Sequence, residues 1–105
     1  MISVKGKWAL ITGASRGIGK ISAKFMAKQG CNLILHSRKV NHCNEIAAIC
    51  RNEGVEVYQV EAELSDIDQV NCMLQKIDNF GKQVDIVLNN AGLQIAYRTD
   101  YLSTP

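Results

Sequence analysis

Residues 12–19 read Thr12-Gly13-Ala14-Ser15-Arg16-Gly17-Ile18-Gly19 and lie between an apolar run, Trp8-Ala9-Leu10-Ile11, and a helical pattern. Glycines spaced in this way suit the holding of a phosphate. Gly13 takes the tight turn off a strand, Gly17 leaves the backbone bare where a pyrophosphate approaches a helix N-terminus, and Gly19 lets that helix pack closely on a sheet. Exposed N–H groups and the positive end of the helix dipole supply the attraction. Glycines alone could serve packing only. The strand–turn–helix setting, with Ser15 and Arg16 inside it, points instead to a nucleotide.

A second cluster, His36-Ser37-Arg38-Lys39, follows the apolar run Leu33-Ile34-Leu35. Dinucleotide folds that prefer NAD place an Asp or Glu at the end of this strand, where it accepts hydrogen bonds from the adenosine ribose. Here no acid occurs before Glu45. A carboxylate would repel a 2′-phosphate, whereas a guanidinium binds it bidentately. Arg38, helped by Arg16 and Ser37, is therefore the candidate 2′-phosphate clamp, and NADP is expected in preference to NAD. The competing reading is that Arg38 and Lys39 are solvated loop charges. His36 reads as an ordinary strand-end residue.

Other chemistry is not encoded in a recognisable pattern. Cys31, Cys43, Cys50 and Cys72 form no Cys-x-x-Cys pair, and the adjacent His42 and Cys43 point different ways on a helix. The cysteines read as small hydrophobes of a reducing compartment, and no metal site is expected.

The elements that must position these residues alternate. Gly17 opens a helix with Ile18, Ile21, Ser22, Phe25 and Met26 on one face and Gly30 as its stop. A second helix, about Val40 to Asn52, carries Val40, Cys43, Ile46, Ala47 and Cys50 along one stripe. Val55 to Val60 is a third strand. Ser65 is the expected N-cap of a third helix, with Asp66 and Asp68 in its first turn and Ile67, Val70, Leu74 and Ile77 inward, stopping at Gly81. Val84, Ile86, Val87 and Leu88 form a fourth strand that runs into Asn89-Asn90-Ala91-Gly92. The pattern β-α-β-α-β-α-β, with right-handed crossovers, is that of an α/β doubly wound parallel sheet in the order 3-2-1-4. Its ligand crevice opens between strands 1 and 4.

At 105 residues, 47% hydrophobic, the chain suits a single domain without low-complexity segments. Its net charge of +2 conceals an asymmetry. Residues 1–44 hold eight Lys/Arg and no acid, whereas residues 45–105 hold all ten acids and four bases. A basic half in a near-neutral whole favours a small anionic ligand over nucleic acid. No stretch reads as a signal peptide or a membrane span, so a cytoplasmic location with no membrane partner is expected.

Together, Thr-Gly-x-x-x-Gly-x-Gly at 12–19 and Asn-Asn-Ala-Gly at 89–92 resemble the paired signatures of the short-chain dehydrogenase/reductases. The resemblance runs from Lys5 to Gly92, and within the family the chain looks most like 3-oxoacyl-acyl-carrier-protein reductases and their sugar- and polyol-oxidising relatives. By resemblance, Gly13, Ser15, Arg16 and Ile18 line the pyrophosphate turn, and Arg38 matches the position that selects NADP. Glu63-Leu64 matches a family Asp followed by an apolar residue, the acid meeting the adenine amine. Asn90 matches the cofactor-side asparagine, with Asn89 and Gly92 bracing the strand ends beside it. The full cofactor set is then Gly13, Ser15, Arg16, Gly17, Ile18, Gly19, Ser37, Arg38, Glu63, Leu64, Asn90 and Gly92.

The family's chemistry also needs Tyr-x-x-x-Lys, and that motif is absent. Tyr58 is followed four places on by Ala62, Tyr97 by Tyr101, and Tyr101 by Pro105. No residue is therefore assigned a catalytic role. An almost unbroken apolar fourth strand at a sheet edge is also an aggregation hazard. The expectation is an incomplete NADP-binding domain over residues 1–105, the cofactor half of an NADP(H)-dependent oxidoreductase. That enzyme would act on a small carbonyl or alcohol substrate and, by resemblance, assemble as a homo-oligomer. The alternatives are a non-catalytic NADP-binding module or an inactive truncated product.

Overall fold

The computed structural model describes residues 3–90. The elements are β1 (Trp8–Thr12), α1 (Gly17–Lys28), β2 (Asn32–Ser37), a 3-10 turn (Val40–Cys43), α2 (Asn44–Arg51), β3 (Val57–Glu61), α3 (Ile67–Asn79) and β4 (Ile86–Asn89). The strands form one parallel sheet in the order β3-β2-β1-β4. This is the doubly wound arrangement read from the sequence. Leu10 sits in register with Ile34 on one side and Val87 on the other, so the central strand is covered along both edges.

Both faces of the sheet are packed. Ala9, Ile11, Leu33 and Leu35 face α1 and α2, while Trp8, Leu10, Ile34 and Val60 face α3. Successive strand residues thus bury on opposite sides, which explains why these strands read as continuous apolar runs. Each fully buried Leu or Ile contributes about 1.5–3 kcal/mol relative to exposure. On the α3 side, Tyr58 stacks between Trp8 and Phe80, with ring centroids 5.3 and 4.1 Å away.

The helices depart from their sequence patterns in instructive ways. In α1 the stripe Ile18, Ile21 and Phe25 points outward, at 72%, 69% and 60% exposure. The buried face is Gly19, Ala23 and Ala27. These small residues recur every four positions and bring the helix backbone close to β1 and β2; larger side chains would hold it away. The expected second helix begins as the 3-10 turn, and α2 proper starts at Asn44. Cys43, Ile46, Ala47 and Cys50 are buried as the stripe implied, and Val40 is exposed. In α3, Val70, Met73 and Ile77 are buried, Leu74 packs partly buried against them, and Ile67 is exposed.

The cap of α3 also differs. Asp66, not Ser65, is the N-cap, its carboxylate accepting from the Asp68 and Gln69 N–H groups at 3.0 and 3.3 Å. Ser65 instead donates its hydroxyl to Glu63 at 3.2 Å. An ionised acceptor outcompetes a hydroxyl for helix N–H groups. The fourth strand is shorter than its apolar run, and among the described residues it pairs with β1 alone.

Candidate functional site

Above the C-terminal ends of β1, β2 and β3 lies a cleft of about 1040 Å³. The β1–α1 turn gives it Gly13, Ser15, Arg16, Gly17 and Ile18; the end of β2 and the segment after it give His36, Ser37, Arg38 and His42. The loop after β3 adds Ala62, Glu63, Leu64 and Ser65, and Asn90 closes it from the β4 side. Ten of the twelve residues expected at a cofactor site therefore surround one opening. Gly19 lies behind the turn and does not line the cleft, and Gly92 lies outside the described residues, as do Tyr97 and Tyr101.

The turn is built for a backbone approach. Gly13 and Gly17 both have φ 62, where a Cβ clashes with the following carbonyl. A Cβ on Gly17 would otherwise meet nothing within 4 Å, so its side faces open space. Arg16, the N-cap of α1, is fully extended and offers no side-chain cap, and the first turn of the helix contains no acid. The N-terminal N–H groups of α1 thus open on the cleft without a side-chain cap, which suits an anionic ligand.

The two signature segments touch. The Asn90 side-chain amide donates to the Gly13 carbonyl at 3.2 Å, and the Thr12 hydroxyl donates to Asn89 Oδ1 at 3.0 Å. Asn89 therefore braces β1 against β4 while Asn90 holds the glycine turn.

The end of the cleft at β2 and the β3 loop is charged on both sides. Arg38 is 76% exposed, and its Nε lies 3.7 Å from Glu63 Oε1. The guanidinium thus faces a carboxylate as well as the opening, a partner that spacing along the chain did not reveal. Ser37 is buried and donates its hydroxyl to the Lys39 carbonyl, so that hydroxyl shapes the loop. Leu64 is 3% exposed and forms an apolar wall.

Sequence reading missed His36. It is buried, accepts from the Gly13 N–H at Nδ1 (3.0 Å) and places Nε2 2.9 Å from the Ala62 carbonyl. Burial pushes its pKa below the ordinary histidine value, against the Ala62 carbonyl and the Glu63 charge, which push it up. A polar residue closing an apolar strand was the available signal.

Cys31, Cys43 and Cys50 are buried, and burial raises their thiol pKa values, that of Cys50 to about 11. Among the described residues, no group of three or more His, Cys, Asp or Glu is placed to hold a metal ion. No helix among them is long and apolar enough to cross a membrane.

A doubly wound sheet whose glycine turn, β2 end and β3 loop share one cleft defines a nucleotide-binding domain of the Rossmann class. Comparison with known proteins narrows the class. The short chain dehydrogenase family model matches residues 7–104, and the chain belongs to that family. It is 40% identical over 90 residues to versicolorin reductase 1 of Dothistroma septosporum, across 84% of this chain and 34% of that protein. It is 36% identical over 95 residues to L-rhamnose 1-dehydrogenase (NADP(+)) of Thermoplasma acidophilum, across 89% of this chain and 37% of that protein. Among solved structures, L-sorbose reductase from Gluconobacter frateurii, complexed with NADPH and L-sorbose, superimposes with a TM-score of 0.78 at 33% identity. That match covers 87% of this chain and 35% of the reductase. The chain thus spans about a third of the length of the relatives it matches.

Proposed function

We propose that this chain forms the NADP(H)-binding portion of a short-chain oxidoreductase that moves a hydride between nicotinamide and a carbonyl or alcohol carbon of a small molecule. The observation that carries the reading is the side-chain-uncapped N-terminus of α1, opening on a cleft flanked by Arg16 and Arg38. Gly13, Ser15, Gly17 and Ile18 hold the pyrophosphate, and Arg16 and Arg38 take the 2′-phosphate. Glu63 and Leu64 meet the adenine, and Asn90 keeps the turn in place. The cofactor supplies the hydride chemistry, and these residues bind and orient it. An NADP-named sugar dehydrogenase and an NADPH-complexed sugar reductase among the relatives favour the same nucleotide and a small polar substrate. The 3-oxoacyl thioester class suggested by resemblance is a narrower form of this proposal. Homo-oligomeric assembly and a cytoplasmic setting belong to the same reading.

Calorimetric titration with NADPH and NADH tests it. NADPH is expected to bind more tightly than NADH. Equal affinities would overturn the 2′-phosphate assignment, and binding of neither would overturn the cofactor reading.

A further inference from the structure

His36, the penultimate residue of β2, is 2% exposed, with both ring nitrogens engaged. A backbone amide only donates and a carbonyl only accepts, so Nδ1 must be bare and Nε2 must carry the proton. One tautomer of the neutral ring meets both demands. Backbone bonds run beside these: the Ala14 N–H donates to the His36 carbonyl at 2.9 Å, and the Ala62 N–H to the Ser37 carbonyl at 3.2 Å. The imidazole therefore ties two walls of the cleft, the β1–α1 turn and the β3 loop, to the strand between them.

We propose that neutral His36 is a positioning residue that holds the glycine turn in its nucleotide-binding conformation, so that protonation releases Gly13 and weakens NADPH binding. The proposal rests on the NADP(H) reading of the cleft. A second proton can be placed only on Nδ1, where it faces the Gly13 N–H donor, and the hydrogen bond becomes a repulsion. Groups around the ring act in both directions. Glu63, in the β3 loop, favours the imidazolium, whereas Arg16 from the β1–α1 turn and Arg38 after β2 bring positive charge to the same cleft, which His42 also lines. From the β4 side the lining residue is the neutral Asn90. A cationic ring would also attract phosphates, the opposite sign to the loss of the Gly13 bond. The direction of the pH dependence therefore separates a positioning role from a purely electrostatic one.

The experiment compares NADPH affinity at pH 8 and 5.5 for the wild-type chain, His36→Asn and His36→Leu. The asparagine Oδ1 branches from Cγ as Nδ1 does, so it can accept from Gly13 without titrating. Relative to His36→Asn, the wild type is expected to weaken toward pH 5.5 by up to about tenfold, the limit set by a pKa below the ordinary 6.5. Protonation of the nucleotide's own phosphate is common to both proteins and cancels. His36→Leu is expected to bind weakly at both pH values. Parallel profiles for wild type and His36→Asn, or relative tightening of the wild type at pH 5.5, would overturn the proposal. The Gly13 amide resonance, followed without nucleotide, is expected to titrate in the wild type and not in His36→Asn. A static resonance would overturn it even if His36→Leu does not fold. Absence of NADPH binding at pH 8 would overturn the cofactor reading and this role together, and a titrating Gly13 amide would then place the error in the ligand and not in the His36–Gly13 bond.

Discussion

The Asn90 side-chain amide donates to the Gly13 carbonyl at 3.2 Å, joining residues 77 positions apart in the chain. Gly19 lies against this bond: a Cβ there would stand 2.2 Å from the Gly13 oxygen and 2.6 Å from Asn90 Nδ2. Three residues of two motifs thus make one joint behind the glycine turn. Gly19 allows that joint to close and does not line the cleft.

Gly19→Ala should therefore break the joint. Overpacking of this kind costs about 1–3 kcal/mol, and both the thermal unfolding midpoint and NADPH affinity should fall. Gly17→Ala offers a contrast. Its Cβ meets no atom within 4 Å, and only the φ of 62 opposes it, a penalty of about 1–2 kcal/mol. Thermal denaturation of both variants, with calorimetry alongside, checks the distinction. Equal stability of Gly19→Ala and wild type would show that no such crowding exists.

Asn90→Ala removes one hydrogen bond and leaves the Gly13 carbonyl without that donor. The expected cost is about 1 kcal/mol, and NADPH should bind several-fold more weakly because the turn loses its brace on the β4 side. Calorimetry reads the affinity, and a urea titration reads the stability. An unchanged NADPH affinity would limit Asn90 to a structural role.

Arg38 and Glu63 should have opposite effects on nucleotide choice. Arg38→Ala is expected to weaken NADPH at least tenfold, since a hydrogen bond to a charged group is worth about 1.5–3 kcal/mol, and to leave NADH nearly unchanged. Glu63→Gln removes the carboxylate 3.7 Å from the Arg38 Nε, and NADPH should tighten by a few-fold at most, because exposed pairs contribute about 0.2–1 kcal/mol. Parallel titrations with both nucleotides test the pair. Loss of NADH binding in Arg38→Ala would contradict the assignment to the 2′-phosphate.

Stability should decline on mild acidification. The pKa of His36 is lowered by burial, so the unfolded chain takes up a proton more readily than the folded one. The contribution of the neutral ring is fully present above about pH 6.5 and is lost as pH falls through the lower folded value. Glu45, held below the usual carboxylate range by its hydrogen bond and ion pair with Lys20, keeps its contribution across this window and loses it only in more acidic solution. Unfolding midpoints between pH 7.5 and 5.5 should therefore fall more steeply for the wild type than for His36→Asn.

Thiol labelling should be selective. Cys72 is exposed, whereas Cys31, Cys43 and Cys50 are buried with raised pKa values. Under native conditions a thiolate-selective reagent should modify Cys72 first, and denaturant should release the other three. Peptide mapping after brief labelling gives the order.

The order of elements was legible because each strand is buried on two faces and reads as a short apolar run, and each run ends at glycines or asparagines. The glycine turn was legible for a related reason: its demands are local, a positive φ at Gly13 and Gly17 next to a helix start. The burial of α1 was not. Its large apolar residues form a stripe of correct period, but close packing on the sheet selects Gly19, Ala23 and Ala27, and hydrophobicity alone ranks those below Ile18, Ile21 and Phe25.

The sequence by itself therefore determined what is periodic or local: the alternation of strands and helices, the glycine turn and the cluster of basic residues near it. Only the tertiary structure decided relationships between residues far apart in the chain. It paired Arg38 with Glu63, set Asn90 on Gly13, and turned His36 from a strand-end residue into the tie between two loops. Each depends on parallel strands ending side by side, and crossovers bring those ends together across 23 to 77 residues of chain.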